Sequence, residues 1–187
     1  MTENLGLVVW FCGLSGAGKT TIATAAAKIL TASGLKVLML DGDNVRNQIH
    51  TNLGFTKEDI IENNRLISSI CERERFRNDV VLVPIISPLD ASRKAARAKH
   101  SPGFSLVFCN TSLEIAATRD VKGLYSRADN GDITDLVGYS KDGVPFEWPS
   151  DADLTLNTGH GSIQGIVNTL CAYLTVRLAN VLPDEVH

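Results

Sequence analysis

A glycine-rich stretch early in the chain, Gly13-Leu14-Ser15-Gly16-Ala17-Gly18-Lys19-Thr20, has the spacing G-x-x-x-x-G-K-[ST]. Glycines at these intervals let the backbone aim successive N–H groups at the oxygens of a phosphate. The start of a following helix adds partial positive charge to the same spot. In such a cradle Lys19 reaches the β- and γ-phosphates of a nucleoside triphosphate, and the Thr20 hydroxyl binds Mg²⁺. The loop from Gly13 to Thr20, with Thr21 beside it, is the candidate ATP contact. ATP and Mg²⁺ are the cofactors it implies.

A second group of candidates lies in Leu40-Asp41-Gly42-Asp43-Asn44-Val45-Arg46. Two carboxylates two residues apart can divide two tasks, one holding Mg²⁺ and the other taking a proton from an attacking hydroxyl. The same residues are also good turn chemistry, an Asx-turn leading to a helix cap, and that alternative stands beside the first. The third apolar run of the chain ends in Ser87 where a carboxylate is usual, so the acidic pair is the candidate to take that place. Arg119 and Lys122 precede a long polar segment and are candidates to close on a transferring phosphoryl group, where a cation stabilises developing charge.

These residues need elements to hold them. Leu7–Phe11, Lys36–Leu40, Val80–Ile86, Phe104–Phe108 and Leu154–Leu156 are short, nearly continuous apolar runs, the pattern of strands buried on both faces. Pro84 costs the third of them a ladder bond. Thr20–Leu30 is alanine-rich and helical; Thr56-Lys57-Glu58-Asp59 resembles a capping box opening a helix toward Arg75. Asp90 is placed to cap a helix through Ala98, and Ile163, Ile166, Val167, Leu170, Leu174 and Leu178 recur at helical spacing. Strands alternating with helices predict an α/β fold with a parallel sheet covered on both faces, ligands binding beyond the carboxyl ends of the strands. Gly13, Asp41 and Ser87 then share one rim. Leu124 to Pro149, rich in Gly, Asp and Asn, reads as irregular structure and, at that length, as a mobile lid at about 120–150.

Composition narrows the classes. A chain of 187 residues, 44% hydrophobic and 21% charged, is ordinary for one globular domain, read here as a single kinase domain over 1–187. The net charge of −3 provides no basic field for nucleic acid. No run approaches the ~20 apolar residues of a membrane span, and no basic leader precedes Leu7, so the expected address is the cytoplasm. Cys12, Cys71, Cys109 and Cys171 have neither metal-ligand nor C-x-x-C spacing. A guanine-nucleotide switch requires N-K-x-D, which is absent; Asp120-Val121-Lys122-Gly123 does not fit. A nucleotide-binding partner module without catalysis is the non-enzyme alternative, against which the intact Lys19, Thr20, Asp41 and Asp43 argue.

The order of motifs resembles that of the adenylylsulfate kinase family, from about Val8 to Thr158. The likeness is carried by the phosphate loop, by Asp41–Arg46, by Leu53-Gly54-Phe55-Thr56, by Ile86-Ser87-Pro88 with Arg93 and Arg97 following, and by Arg119–Tyr125. It implies a P-loop NTPase three-layer sandwich and phosphorylation of the 3′-hydroxyl of adenosine 5′-phosphosulfate by ATP. It assigns Asp41 and Asp43 to the metal and the acceptor hydroxyl. It also assigns Arg46, Phe55, Asn63, Ile86, Ser87 and the lid residue Leu136 to the acceptor site, with Phe55 stacking on a base. Lys122 belongs to the lid, and Arg119 falls on the ATP side. Ser87 matches a position given in some members as a phosphoserine intermediate, although direct in-line transfer needs no covalent step. Members are usually homodimers.

The chain also departs from that family pattern. Ile60 stands where an arginine usually follows the Asp, Arg65-Leu66 where an arginine pair is usual, and Leu136-Val137-Gly138-Tyr139-Ser140 where the lid reads F-T-G-[IL]-D. A few extra residues follow before Pro145-Phe146-Glu147-Trp148-Pro149 restores the pattern. Fewer cations and a missing aromatic fall on the acceptor side, where a base-stacking ring contributes about 1–3 kcal/mol. The acceptor is therefore expected to be adenylylsulfate or, as the alternative, a related 5′-modified nucleotide such as cytidine diphosphoramidate.

Overall fold

The computed structural model describes residues 5–42, Val45 and residues 53–181. Five strands form its sheet: β1 (Leu7–Cys12), β2 (Val37–Met39), β3 (Val80–Pro84), β4 (Phe104–Asn110) and β5 (Leu154–Asn157). All neighbours pair in parallel, in the order β2-β3-β1-β4-β5. A parallel pair needs a crossover, and the helices supply it: α1 (Lys19–Ala32), α2 (Lys57–Glu74), α3 (Asp90–His100), α4 (Leu113–Arg119), α5 (Leu124–Asp129) and α6 (Ile163–Val181).

Why β1 lies in the middle is written in its residues. All six are buried, and they alternate between two cores. Val8, Trp10 and Cys12 meet Ile67 and Cys71 of α2, Ala96 of α3, Ala116 of α4 and Tyr125 of α5. Leu7, Val9 and Phe11 meet Ile22, Ala23 and Ala26 of α1 and Val167, Leu170 and Leu174 of α6. At roughly 1.5–3 kcal/mol per large apolar side chain removed from water, both faces must be covered for the strand to form at all. The layers are thus α1 and α6, the sheet, and α2 to α5, the expected three-layer α/β sandwich.

Several boundaries differ from the sequence expectation for identifiable reasons. β3 stops at Pro84 rather than Ile86, because the proline lacks an N–H and the chain turns, Ile85 N–H donating to the Val83 carbonyl at 3.1 Å. The helix α4 was not apparent from apolar spacing; the Ser112 hydroxyl caps it by accepting from Ile115 N–H at 3.2 Å. The stretch read as irregular opens with α5, whose first turn is held by the Asp120 carboxylate accepting from the backbone N–H groups of Tyr125 and Ser126, each at 3.0 Å. Asp90 does not cap α3. Its carboxylate pairs with Lys94 at 2.7 Å, while its N–H is taken by Glu147 Oε2 at 2.6 Å, a cap from 57 residues away. Thr56 does cap α2, accepting from Asp59 N–H at 3.1 Å.

Behind the sheet, α2 and α3 bury a polar pair. His100 is 1% exposed, its Nε2 lies 2.8 Å from Ser68 Oγ, and its ring stacks on Phe104. Burial, and then the nearby charges of Arg75 and Lys99, hold its pKa down from the ordinary 6.5 to about 4, against a small opposing pull from Glu72. The folded protein therefore keeps His100 neutral where the unfolded chain has bound a proton. The stability gained by keeping it neutral is complete above pH 6.5 and is lost as the pH falls to about 4, an effect on the order of 3 kcal/mol. Urea midpoints measured across that interval should fall with pH, and should fall less in His100→Gln, which keeps a partner for Ser68. Equal pH slopes in the two proteins would show that His100 plays no part.

Candidate active site

The rim formed by the carboxyl ends of β1, β2 and β3 carries the chemistry. Gly13 leaves β1 at φ +145°, and a Cβ there would lie 2.6 Å from the Cys109 carbonyl of the neighbouring strand, so only glycine fits. Its N–H donates to the Ile86 carbonyl at 3.2 Å, which ties the loop to the end of β3. The loop then runs to the N-terminus of α1, and the Lys19 ammonium, 8% exposed, donates to the carbonyls of Gly13 at 2.9 Å and Leu14 at 2.7 Å. The ammonium is thereby held over the concavity of the loop. Arg119, at the end of α4, donates to the Gly16 carbonyl at 3.4 Å and to the Thr158 carbonyl at 2.7 Å. It bridges the loop to the exit of β5.

Thr20 and Asp41 meet although β2 and its crossover separate them in sequence. The Thr20 hydroxyl donates to Asp41 Oδ2 at 2.9 Å, and Asp41 is 8% exposed just past the end of β2. A hydroxyl and a carboxylate side by side at the mouth of a phosphate loop are hard oxygen ligands suited to Mg²⁺. The donor set fits the ion that the motif implies.

A cavity of about 840 Å³ opens over this rim. Its floor is the loop, from Ser15 through Gly16, Ala17, Gly18 and Lys19 to Thr20 and Thr21. Arg119 and Lys122 line the cavity. Phe55, Asn63, Ile86, Ser87 and Leu136 line it as well, so both groups of candidates share one space. Gly13, Leu14 and Asp41 lie behind this lining; Asp43 and Arg46 lie outside the described residues.

Ser87 has an unusual setting. At φ +43° it is a non-glycine residue in left-handed backbone, and only 2% of it is exposed. Its hydroxyl oxygen accepts from the Trp10 indole at 3.0 Å and its carbonyl accepts from the Arg93 guanidinium at 2.8 Å. Arg93, itself 1% exposed, also donates to the Glu147 carbonyl at 2.7 Å, which fastens the far end of the lid segment to this rim.

Three features of the site were missed or underread in the sequence. Tyr125 lines the cavity and its hydroxyl donates to the Ser15 carbonyl at 2.9 Å; the conspicuous R-D-x-K-G-L-Y block already contained it. Thr158, Gly161 and Ile163 line the cavity beyond β5, where the rim rule applied to the fifth strand would have found them. Ile60 lines the cavity too, but 95% of it is buried, in a cluster with Leu89, Val137 and Val144 against Ile86. The residue that departs from the family pattern is thus packed against the lid segment that also departs from it.

Fold and site together define a P-loop phosphotransferase of small molecules. The family pattern of adenylylsulphate kinase matches residues 5–157, and the chain belongs to that family. An adenylyl-sulfate kinase of Paraburkholderia xenovorans is 40% identical over 174 residues, 93% of this chain and 96% of the relative. The structure of the Mycobacterium tuberculosis APS kinase in complex with AMPPNP and APS superposes with a TM-score of 0.84 at 36% identity, covering 91% of this chain and 98% of that one. A gluconokinase of Sinorhizobium meliloti, 18% identical with a TM-score of 0.65 over 98% of this chain and 99% of that one, shares the fold.

Lys19→Ala removes the one cation set into the loop itself. Phosphoryl transfer should fall by at least about a hundredfold, as for other preorganised charge stabilisers, with little change in thermal midpoint. Turnover above a few per cent of wild type would exclude Lys19 from the chemistry.

Proposed function

We propose that this protein is an adenylyl-sulfate kinase, which transfers the γ-phosphoryl group of ATP to the 3′-hydroxyl of adenosine 5′-phosphosulfate. The carrying observation is one shared cavity: the phosphate loop from Ser15 to Thr21 lines it together with Phe55, Asn63 and Ile86, and Asp41 lies behind the lining on the Thr20 hydroxyl. A donor and an acceptor nucleotide can therefore meet over Lys19. Family membership, and a relative of 0.84 TM-score that holds both AMPPNP and APS, support the same reading.

The step divides among the residues as follows. Loop amides and Lys19 bind the β- and γ-phosphates, so the transferring group is held still before reaction. The acceptor 3′-oxygen attacks the γ-phosphorus; the new P–O bond forms as the bond to the β–γ bridging oxygen breaks, and ADP leaves. Mg²⁺, for which Thr20 and Asp41 are the protein ligands, directly or through water, would neutralise charge on the phosphates. With Asp41 engaged to Thr20, the proton of the attacking hydroxyl is assigned on sequence grounds to the Asp43 carboxylate. Lys122 and Arg119 flank the phosphates from the lid side, the lid being the segment of about 120–150. Transfer is direct, and Ser87 serves as a wall of the acceptor site: its hydroxyl oxygen is occupied by Trp10.

No helix among the described residues is long and apolar enough to cross a membrane. A cytoplasmic homodimer acting on small nucleotides, without nucleic acid, completes the proposal.

One observation favours a second acceptor. Ile60 and Val137 are apolar where the family pattern has an arginine and a threonine, which suits a less anionic tail such as that of cytidine diphosphoramidate. Because Ile60 is packed under the lid, Ile60→Arg would bury a guanidinium against Val137 and Val144 rather than simply restore a contact. A panel of 5′-modified nucleotides, assayed for transfer from labelled ATP, decides between the acceptors. Adenylylsulfate should have the highest kcat/KM. A preference of tenfold or more for cytidine diphosphoramidate would establish the second reading, and transfer to neither would overturn both.

A further inference from the structure

We infer that Tyr125 is a positioning residue through which the seating of the lid sets the phosphate loop's grip on ATP; the inference rests on the ATP-binding reading above. The first link is the 2.9 Å hydrogen bond from the Tyr125 hydroxyl to the Ser15 carbonyl, with Tyr125 only 2% exposed. A trans peptide is planar, so its C=O and N–H point in opposite directions. Holding the Ser15 carbonyl toward Tyr125 therefore turns the Gly16 N–H the other way, and Gly16 forms part of the cavity floor. One phenol thus fixes the aim of one phosphate-binding amide. Burial, with smaller contributions from the charges of Asp120 and Tyr139, pushes the Tyr125 hydroxyl up to about 12, so it stays a donor at any working pH.

The second link joins Tyr125 to the lid. The ring of Tyr139 meets that of Tyr125 edge-on, at 5.0 Å and 86°. Tyr139 is anchored in turn by its hydroxyl, which donates to Asp129 Oδ1 at 2.6 Å. One residue earlier Gly138, at φ +74°, packs so closely on the phosphate loop that a Cβ there would come within 2.8 Å of Leu14 Cδ2. Its N–H closes the lid turn on the Val144 carbonyl at 2.9 Å. The lid turn therefore touches the phosphate loop twice, through Gly138 on Leu14 and through Tyr139 on Tyr125. Tyr139 itself does not line the cavity, and its ring reaches the phosphate loop by way of Tyr125. A coupling of this kind is reciprocal: what seats the lid tightens ATP, and ATP seats the lid by the same factor.

The test reads AMPPNP affinity by titration calorimetry without acceptor, with the thermal midpoint measured alongside. Tyr125→Phe and Tyr139→Leu should each weaken binding about three- to tenfold. The double variant should be no weaker than the worse single variant, because both break one chain of contacts. Tyr139→Phe, which keeps the ring contact but loses the Asp129 anchor, should lose less affinity than Tyr139→Leu. Tyr139 is 36% exposed, so it tolerates replacement even if Tyr125→Phe does not fold. Unchanged affinity in Tyr139→Leu, or losses that multiply in the double variant, would overturn the inference while leaving the ATP site standing. A lowered thermal midpoint with unchanged affinity would reduce both tyrosines to structural residues. Wild type that fails to bind AMPPNP would remove the ATP-binding reading and the inference with it.

Discussion

A phosphate loop works only if its carbonyls face away from the anion, since each carbonyl turned inward repels what the neighbouring amide attracts. Here four carbonyls around the loop are taken up by donors. Lys19 holds those of Gly13 and Leu14, Tyr125 holds that of Ser15, and Arg119 that of Gly16. The Gly13 amide is spent on the Ile86 carbonyl and the Ala17 amide on that of Leu14, so the other amides of the loop are the candidate phosphate donors. The cradle is therefore a consequence of tertiary contacts as much as of its glycines. Glycine permits the conformation, and α1, α4, α5 and β3 select it.

That selection explains the arrangement of the rest. The central position of β1 gives the loop neighbours on both sides, β3 bringing Ile86 and Ser87 and β4 leading into α4 with Arg119. The segment after α5 returns across the rim and is fastened there by Arg93, whose buried guanidinium binds the carbonyls of Ser87 and Glu147. Glu147 answers with its N–H on the Pro88 carbonyl at 2.9 Å and its carboxylate on the Asp90 amide. A buried guanidinium is expensive to desolvate, and an arrangement that gives it carbonyl partners on two separate segments converts that cost into a fixed relation between them. Ser87, held in left-handed backbone between Trp10 and Arg93, lines the cavity at the point where Arg93 ties it to Glu147.

Much of this was legible in the sequence because it depends on local spacing. The phosphate loop, the strand–helix alternation and the motif order are one-dimensional signals, and Asp41 was placed beside the loop from its position after a strand alone. What was not legible is which group meets which in the fold. The cap of α3 comes from Glu147, 57 residues away, and α5 is opened by the Asp120 carboxylate rather than by apolar periodicity. Tyr125 was quoted as part of a motif but not as a contact, since nothing in R-D-x-K-G-L-Y says which of its side chains turns toward Ser15.

Ile60 shows how a departure from a family pattern acquires its meaning only from what surrounds it. Read alone, an apolar residue in place of an arginine is a lost contact to an anion. In the folded chain it is one of four buried apolar residues, with Leu89, Val137 and Val144, that join α2, the entry to α3 and both sides of the lid turn. Burying such side chains contributes roughly 1.5–3 kcal/mol each, comparable to the charged contact that an arginine there would make. The extra residues between Ser140 and Pro145 belong to the same turn, which brings Val144 to Ile60 and Tyr139 to Tyr125. The two sets of departures thus meet in one place, where Ile60 of α2 and the turn from Val137 to Val144 hold each other by apolar contact.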